Sequence, residues 1–112
     1  MTQTDLRSAV LEFRPRAADV MRMIRSIAAN SHRVGFGRHA RERMELRGIT
    51  DREALKVLLV GELKGDIEPG NARGEWKCKV VAPIKGSREI GVVTIVLITG
   101  RLFVKTVEWE DL

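Results

Sequence analysis

Residues 37–50, GRHARERMELRGIT, gather the side chains of this sequence best suited to chemistry on a phosphodiester. His39, Arg43 and Arg47 recur every four residues, so on a helix each lies over the one before it, turned by about 40° per step. An imidazole is the side chain that exchanges a proton near neutrality. Two guanidiniums beside it disfavour its protonated form and leave it able to act as a base. Such a base takes the proton of a ribose 2′-hydroxyl while the arginines stabilise the charge that builds on the attacked phosphate. The spacing therefore suits RNA cleavage without a metal. Arg38 and Arg41 add phosphate contacts on the same stretch, and Trp76 and Trp109 offer ring faces on which bases stack.

The same residues also have structural uses. His39 can cap or flank its own helix, bonding backbone or a strand carbonyl. Arg43 and Arg47 can brace the helix to Glu75, Glu108 or Glu110, and Arg43 can pair with Glu42 or Glu45. Two tryptophans on neighbouring strands are commonly core residues. Cys78, among alternating apolar residues, reads as a small buried hydrophobe. Burial separates the two uses: side-chain ends that are inside and paired with acids brace the fold, and ends in solvent are free to bind.

The elements that must position these residues are marked clearly. Ala40, Met44 and Leu46 give the helix an apolar side, and Gly48 is its expected C′ residue, where a left-handed backbone costs glycine nothing. Thr50-Asp51-Arg52-Glu53 is a capping box that opens the next helix, with Ala54, Leu55, Val57, Leu58 and Leu59 running to a stop at Gly61. Earlier, Pro15 suits a first turn, and Ala17, Val20, Met21, Ile24, Ile27 and Ala28 form one apolar stripe opposite Arg16, Arg22 and Arg25. This predicts a helix over about 15–29. His32 and Arg33 fall in the connection, and Val34-Gly35-Phe36 reads as a brief extended piece. Residues 1–14 read as a loose arm, or as a helical extension through Leu6, Val10 and Leu11.

Beyond Gly61 the hydrophobic period changes to two. Leu63–Glu68 reads as an edge strand, Pro69-Gly70-Asn71 as a turn, and Trp76, Cys78, Val80 and Ala82 as the inner positions of a strand. Lys85–Arg88 makes a hairpin turn, Ile90–Ile98 is the central strand, Thr99-Gly100 a tight turn, and Leu102–Trp109 the last strand. Helices first and a meander afterwards give an α+β class. The expected architecture is two to three helices on one face of a three- to four-stranded antiparallel sheet.

The chain has 112 residues, enough for one domain over 1–112 that buries about two-thirds of its unfolded surface. Its one cysteine excludes a disulfide within the chain and fits a reducing compartment. No Cys/His cluster suggests zinc, so neither metal nor cofactor is expected. No stretch approaches the roughly 18 apolar residues of a membrane span, and Asp5 with no basic-then-apolar run argues against a signal peptide. The expected address is cytoplasmic, with no membrane partner. The formal charge of +5 is uneven: residues 1–50 hold ten arginines, no lysine and five acids, whereas residues 51–112 are balanced. An arginine-only bias favours RNA or an acidic protein as partner, though a solvated surface of a GC-rich genome's protein has the same composition.

With these residues in view, the sequence resembles the bacterial family filed as domain of unknown function 4258. The likeness rests on His39-Ala40, Arg43-Met44 and Arg47-Gly48-Ile49-Thr50, then Gly74-Glu75-Trp76-Lys77-Cys78, then Val93-Thr94-Ile95-Val96 and Thr106-Val107, over about residues 16–109. Glu108 stands where that family carries an aromatic residue. The family in turn resembles the RelE/ParE toxin fold. That likeness implies helices on a small antiparallel sheet, a basic face that meets RNA on the ribosome or an antitoxin protein, and an aromatic or basic group on the last strand. Lys105 and Trp109 are the residues here that would serve in that last role.

Overall fold

The computed structural model describes residues 14–111. The arm expected at 1–14 lies, apart from Arg14, outside the described residues. Helix α1 spans Ala17–Ala28, starting after Pro15 with Arg16 still extended. Its stripe of Val20, Met21, Ile24, Ile27 and Ala28 is buried as the spacing requires. Asn30 then caps a single 3₁₀ turn, Ser31–Arg33, by accepting from the His32 N–H at 3.1 Å. Strand β1, Val34–Phe36, leads into α2, Arg38–Arg47. Gly48 ends α2 with φ of 67°. Helix α3 covers Asp51–Val60 under the expected capping box: the Thr50 hydroxyl accepts from the Glu53 N–H, and Glu53 accepts from the Thr50 N–H.

Strands β2 (Glu62–Pro69), β3 (Trp76–Lys85), β4 (Arg88–Val96) and β5 (Leu102–Trp109) form an antiparallel meander. The sheet order is β1-β5-β4-β3-β2. The α+β class stands, but the sheet has five strands and is mixed, not three or four and purely antiparallel. The difference is β1, which pairs parallel to β5 with Val34 opposite Leu102 and Phe36 opposite Val104. Three residues carry no readable period. A parallel pair also needs a long crossover, supplied here by both later helices and the meander. The central strand is shorter than expected too. It stops at Val96, and the chain turns through a Leu97 N–H to Arg101 carbonyl bond, which leaves Ile98 67% exposed at the tip.

One face of the sheet carries the core. Cys78, Val80 and Ala82 of β3, Ile90, Val92 and Val96 of β4, and Leu102, Val104, Val107 and Trp109 of β5 join the buried faces of all three helices in one cluster. Ile95 is also buried but points the other way, beneath the turn at Gly70. Val96, not Ile95, therefore meets the helices. The other face is charged. There Glu110 lies between Lys79 at 2.6 Å and Lys64 at 3.0 Å, with Glu108 3.7 Å from Lys79. A bulge in β5 breaks the register: Val93 faces Thr106 and Thr94 faces Val104, so Lys105 is the extra residue.

Candidate functional site

Helix α2 is placed by its two ends. At the start, the Gly37 N–H donates to the Val104 carbonyl at 3.0 Å. The Phe103 ring lies over Gly37 so closely that an added Cβ would meet it at 2.6 Å. At the end, Arg47 Nη1 donates to the Val107 carbonyl at 2.8 Å, and Trp109 Nε1 returns a bond to the Arg47 carbonyl at 3.0 Å. These contacts lay α2 along the outer edge of β5. Strand β1 pairs with β5 up to Val104, and beyond that point α2 covers the edge. Arg47 supplies the donor that a neighbouring strand would otherwise give to Val107. It is a brace, and its partner is a backbone carbonyl, not the Glu75, Glu108 or Glu110 expected from sequence. Those last two acids face the lysines on the opposite side of the sheet.

Ala40 and Met44 point into the core, so His39 is turned out to solvent and Arg43 is half-buried beside it. Arg43 Nε donates to His39 Nε2 at 3.4 Å. In that contact the guanidinium donates and the imidazole nitrogen accepts. Among the described residues neither side chain pairs with a carboxylate, including Glu42 and Glu45. The pair is a long, weak bond on an open surface. A phosphate oxygen is a better acceptor for the guanidinium and would compete for it.

The flanking arginines differ. Arg38 reaches Glu42 at 3.2 Å with both side chains mostly in water, a pairing of little strength. Arg41 is held firmly: Nη1 bonds both carboxylate oxygens of Asp51 at 2.6 and 2.8 Å, and the guanidinium lies 4.7 Å above the Phe36 ring. The tryptophans are less available than their types suggest. Trp109 is 6% exposed, and Arg88, itself fixed to Asp111 at 3.1 and 3.2 Å, covers its ring at 3.9 Å. The expected role of Trp109 in stacking on bases is therefore corrected: it is a core anchor for α2. Trp76 is half-buried against the core, with Arg14 6.0 Å above its ring. Lys105 projects from the β5 bulge into solvent without an ion pair among the described residues. The structure thus brings His39 and Arg43 together, pairs Arg38 with Glu42 and Arg41 with Asp51, sets Arg47 to bracing, and leaves Lys105 exposed on β5.

Two groupings of charge escaped the sequence reading. Arg33 donates to the Gly100 carbonyl and Arg101 to the His32 carbonyl at 2.8 Å, tying the 3₁₀ turn to the β4–β5 turn. The Lys64–Lys79–Glu110 cluster was open to a simple signal, since Glu108 and Glu110 alternate with Trp109 and must share the face away from the core. Burial pushes the Glu110 carboxyl up, but hydrogen bonds and charge from Lys79 and Lys64 outweigh it and hold it below its ordinary value. Burial pushes the Cys78 thiol up to about 11, which makes it inert. Among the described residues, no group of three or more His, Cys, Asp or Glu side chains could hold a metal. No helix among them is long and apolar enough to cross a membrane.

Compared with known proteins, the sequence matches the family described as "Domain of unknown function (DUF4258)" over residues 36–109, from the end of β1 to the end of β5. No curated protein and no solved structure matches it.

Proposed function

The chain belongs to the DUF4258 family, and from that premise we propose that it is a toxin-type protein that binds RNA on the outer face of α2 and cleaves it without a metal. The observation that carries this reading is the His39–Arg43 pair on the outer side of α2, an imidazole in contact with a guanidinium and with no carboxylate partner among the described residues. His39 takes the 2′-hydroxyl proton as O2′ attacks phosphorus; the P–O5′ bond breaks, the 5′-oxygen leaves with a proton from the imidazolium or water, and a 2′,3′-cyclic phosphate remains. Arg43 leaves Nε2 for the phosphate and stabilises the charge gained in the transition state. Arg38, Arg41 and Lys105 contact neighbouring phosphates.

A second reading, a binding module without catalysis that docks an acidic partner such as an antitoxin, draws on a different observation. His39 is exposed on α2 and lines none of the cavities of about 490, 360 and 280 Å³, whereas catalysis gains from a site that excludes water.

The test uses purified protein and labelled RNA, with and without ribosomes, in the presence of a chelator. The expected result is cleavage that His39→Ala lowers by about 10²–10⁴-fold while RNA affinity stays within about twofold. Binding without cleavage, unchanged by His39→Ala, would leave the binding module. Absence of RNA binding at low salt by both proteins would end the RNA reading.

A further inference from the structure

A cavity of about 280 Å³ opens beside α1, lined by Arg22, Met23, Ser26, Ile27 and Arg33. None of its lining residues is on α2, and among the described residues no acid lines it. Arg33 has no carboxylate partner among them, and that of Arg22 is exposed. Arg33 donates to the Gly100 carbonyl, a bond that fixes the guanidinium but neutralises none of its charge and uses one of its five N–H groups. The β4–β5 turn is shaped for this contact: Gly100 has φ of 80°, and an added Cβ there would meet Arg33 Nη2 at 2.9 Å. Arg101 makes the reciprocal bond to the His32 carbonyl, again without a carboxylate. Arg22 reaches Asp19 at 2.9 Å, with side chains 75% and 50% exposed, a pairing that a phosphate can displace. Between the cations lie Ile27, buried, Met23, 40% exposed, and Ser26. Guanidiniums next to a polarisable, adaptable thioether suit a nucleotide, whose base packs on apolar surface and whose phosphate takes a guanidinium fork.

The position relative to α2 matters as much as the chemistry. Arg33 immediately precedes β1 and Arg38 follows shortly after it. Five largely extended residue steps separate the two backbones by up to about 17 Å, a span that a few nucleotides of single strand bridge. We propose that this cavity is a second contact for RNA, holding one nucleotide of the strand that α2 binds, with its phosphate on Arg33 and Arg22 and its base on Met23 and Ile27. The proposal rests on the RNA reading of α2 and extends it to a strand path running past β1.

The experiment measures binding of single-stranded RNA oligomers of 3 and 12 nucleotides by anisotropy over a range of salt. Arg22→Gln and Arg33→Gln should each weaken the 12-mer by about tenfold and shallow its salt slope by about 0.7, with a much smaller effect on the 3-mer. Because Arg33→Gln also removes the bond to Gly100, Ser26→Glu serves as the second variant. It sits on the exposed side of α1 and puts a carboxylate into the cavity, and it should weaken the 12-mer at least as much with an unchanged melting temperature. If Arg43→Gln weakens RNA binding but Ser26→Glu and Arg22→Gln do not, the cavity proposal falls and the α2 reading survives. If the cavity variants weaken binding and Arg43→Gln does not, the cavity binds RNA alone and the shared path is overturned. Poly-glutamate of equal charge is the control. Displacement of the 12-mer by it at the same charge concentration would overturn the nucleotide assignment in favour of an acidic protein segment.

Discussion

Arg43 and Arg47 are one helical turn apart on α2 and differ in what they touch, which separates their roles. Arg47 satisfies the part-buried Val107 carbonyl, so Arg47→Met should cost roughly 1–3 kcal/mol because that acceptor is left without a donor. Arg43→Gln removes a weak bond at the surface and should change stability by less than about 0.5 kcal/mol while weakening RNA binding. Urea unfolding of both variants beside an RNA titration checks the pair, and a stability loss at Arg43 equal to that at Arg47 would mean that both are braces. Glu110 makes the pH-dependent contribution that is easiest to isolate. Its carboxyl is held below its ordinary value in the folded chain by Lys79 and Lys64, against the upward push of burial. Its contribution is therefore complete above the unfolded-state value of about 4.3 and is lost as pH falls through the lower folded value. Glu110→Gln should flatten the acid limb of stability below about pH 5 and lower stability at neutrality. An unchanged acid limb would show that the two lysines do not hold the carboxylate.

Helix α2 depends on its neighbours more than on its own sequence. It buries Ala40 and Met44 and is otherwise charged, so its place comes from Gly37 under Phe103, the Arg47–Val107 and Trp109–Arg47 bonds, and the start of α3. Asp51 of α3 fixes Arg41, which ties the proposed RNA surface to the capping box. Thr50→Ala removes the cap and should cost about 1 kcal/mol. Because Asp51 sits in the first turn of α3, the same change should loosen Arg41 and weaken RNA binding modestly. Chemical denaturation and the RNA titration read the two effects on one sample. A loss of RNA affinity without a loss of stability would place Thr50 in direct contact with RNA.

At the scale of the whole molecule, the core joins α1 to the middle of the sheet, and Ile24 sits fully buried within it. Ile24→Ala should cost on the order of 2–4 kcal/mol with an unchanged denaturant slope, since it leaves a cavity without altering the surface exposed on unfolding. A change under about half a kcal/mol would mean that α1 does not close the core. Among the described residues, the opposite face of the sheet carries ion pairs and no second layer of helices. Every arginine of the proposed RNA surface lies on the helices, on the turns that join them, or next to β1.

The three described helices, their stops at Gly48 and Gly61, the Thr50–Glu53 box and the meander were all legible in the sequence, because each depends on residues within a few positions of one another. The same holds for the burial of Val20, Ile24 and Val80, which follows from period, whereas the continuous apolar run of β4 left its inward face open. What tertiary structure alone decided were contacts between residues far apart in the chain. Strand β1 is extended because Val104 and its neighbours offer it a free edge some 70 residues later. Arg47 became a brace because Val107 had an unpaired carbonyl within reach, and no spacing in the sequence records that carbonyl. Alternation along β5 already puts Trp109 and Glu110 on opposite faces, but their partners, the Arg47 carbonyl for one and Lys64 and Lys79 for the other, were set by helix placement and strand order. The sequence showed which side chains on α2 have the right chemistry. The backbone groups that each of them must also satisfy separated the outward His39–Arg43 pair from the inward Arg47.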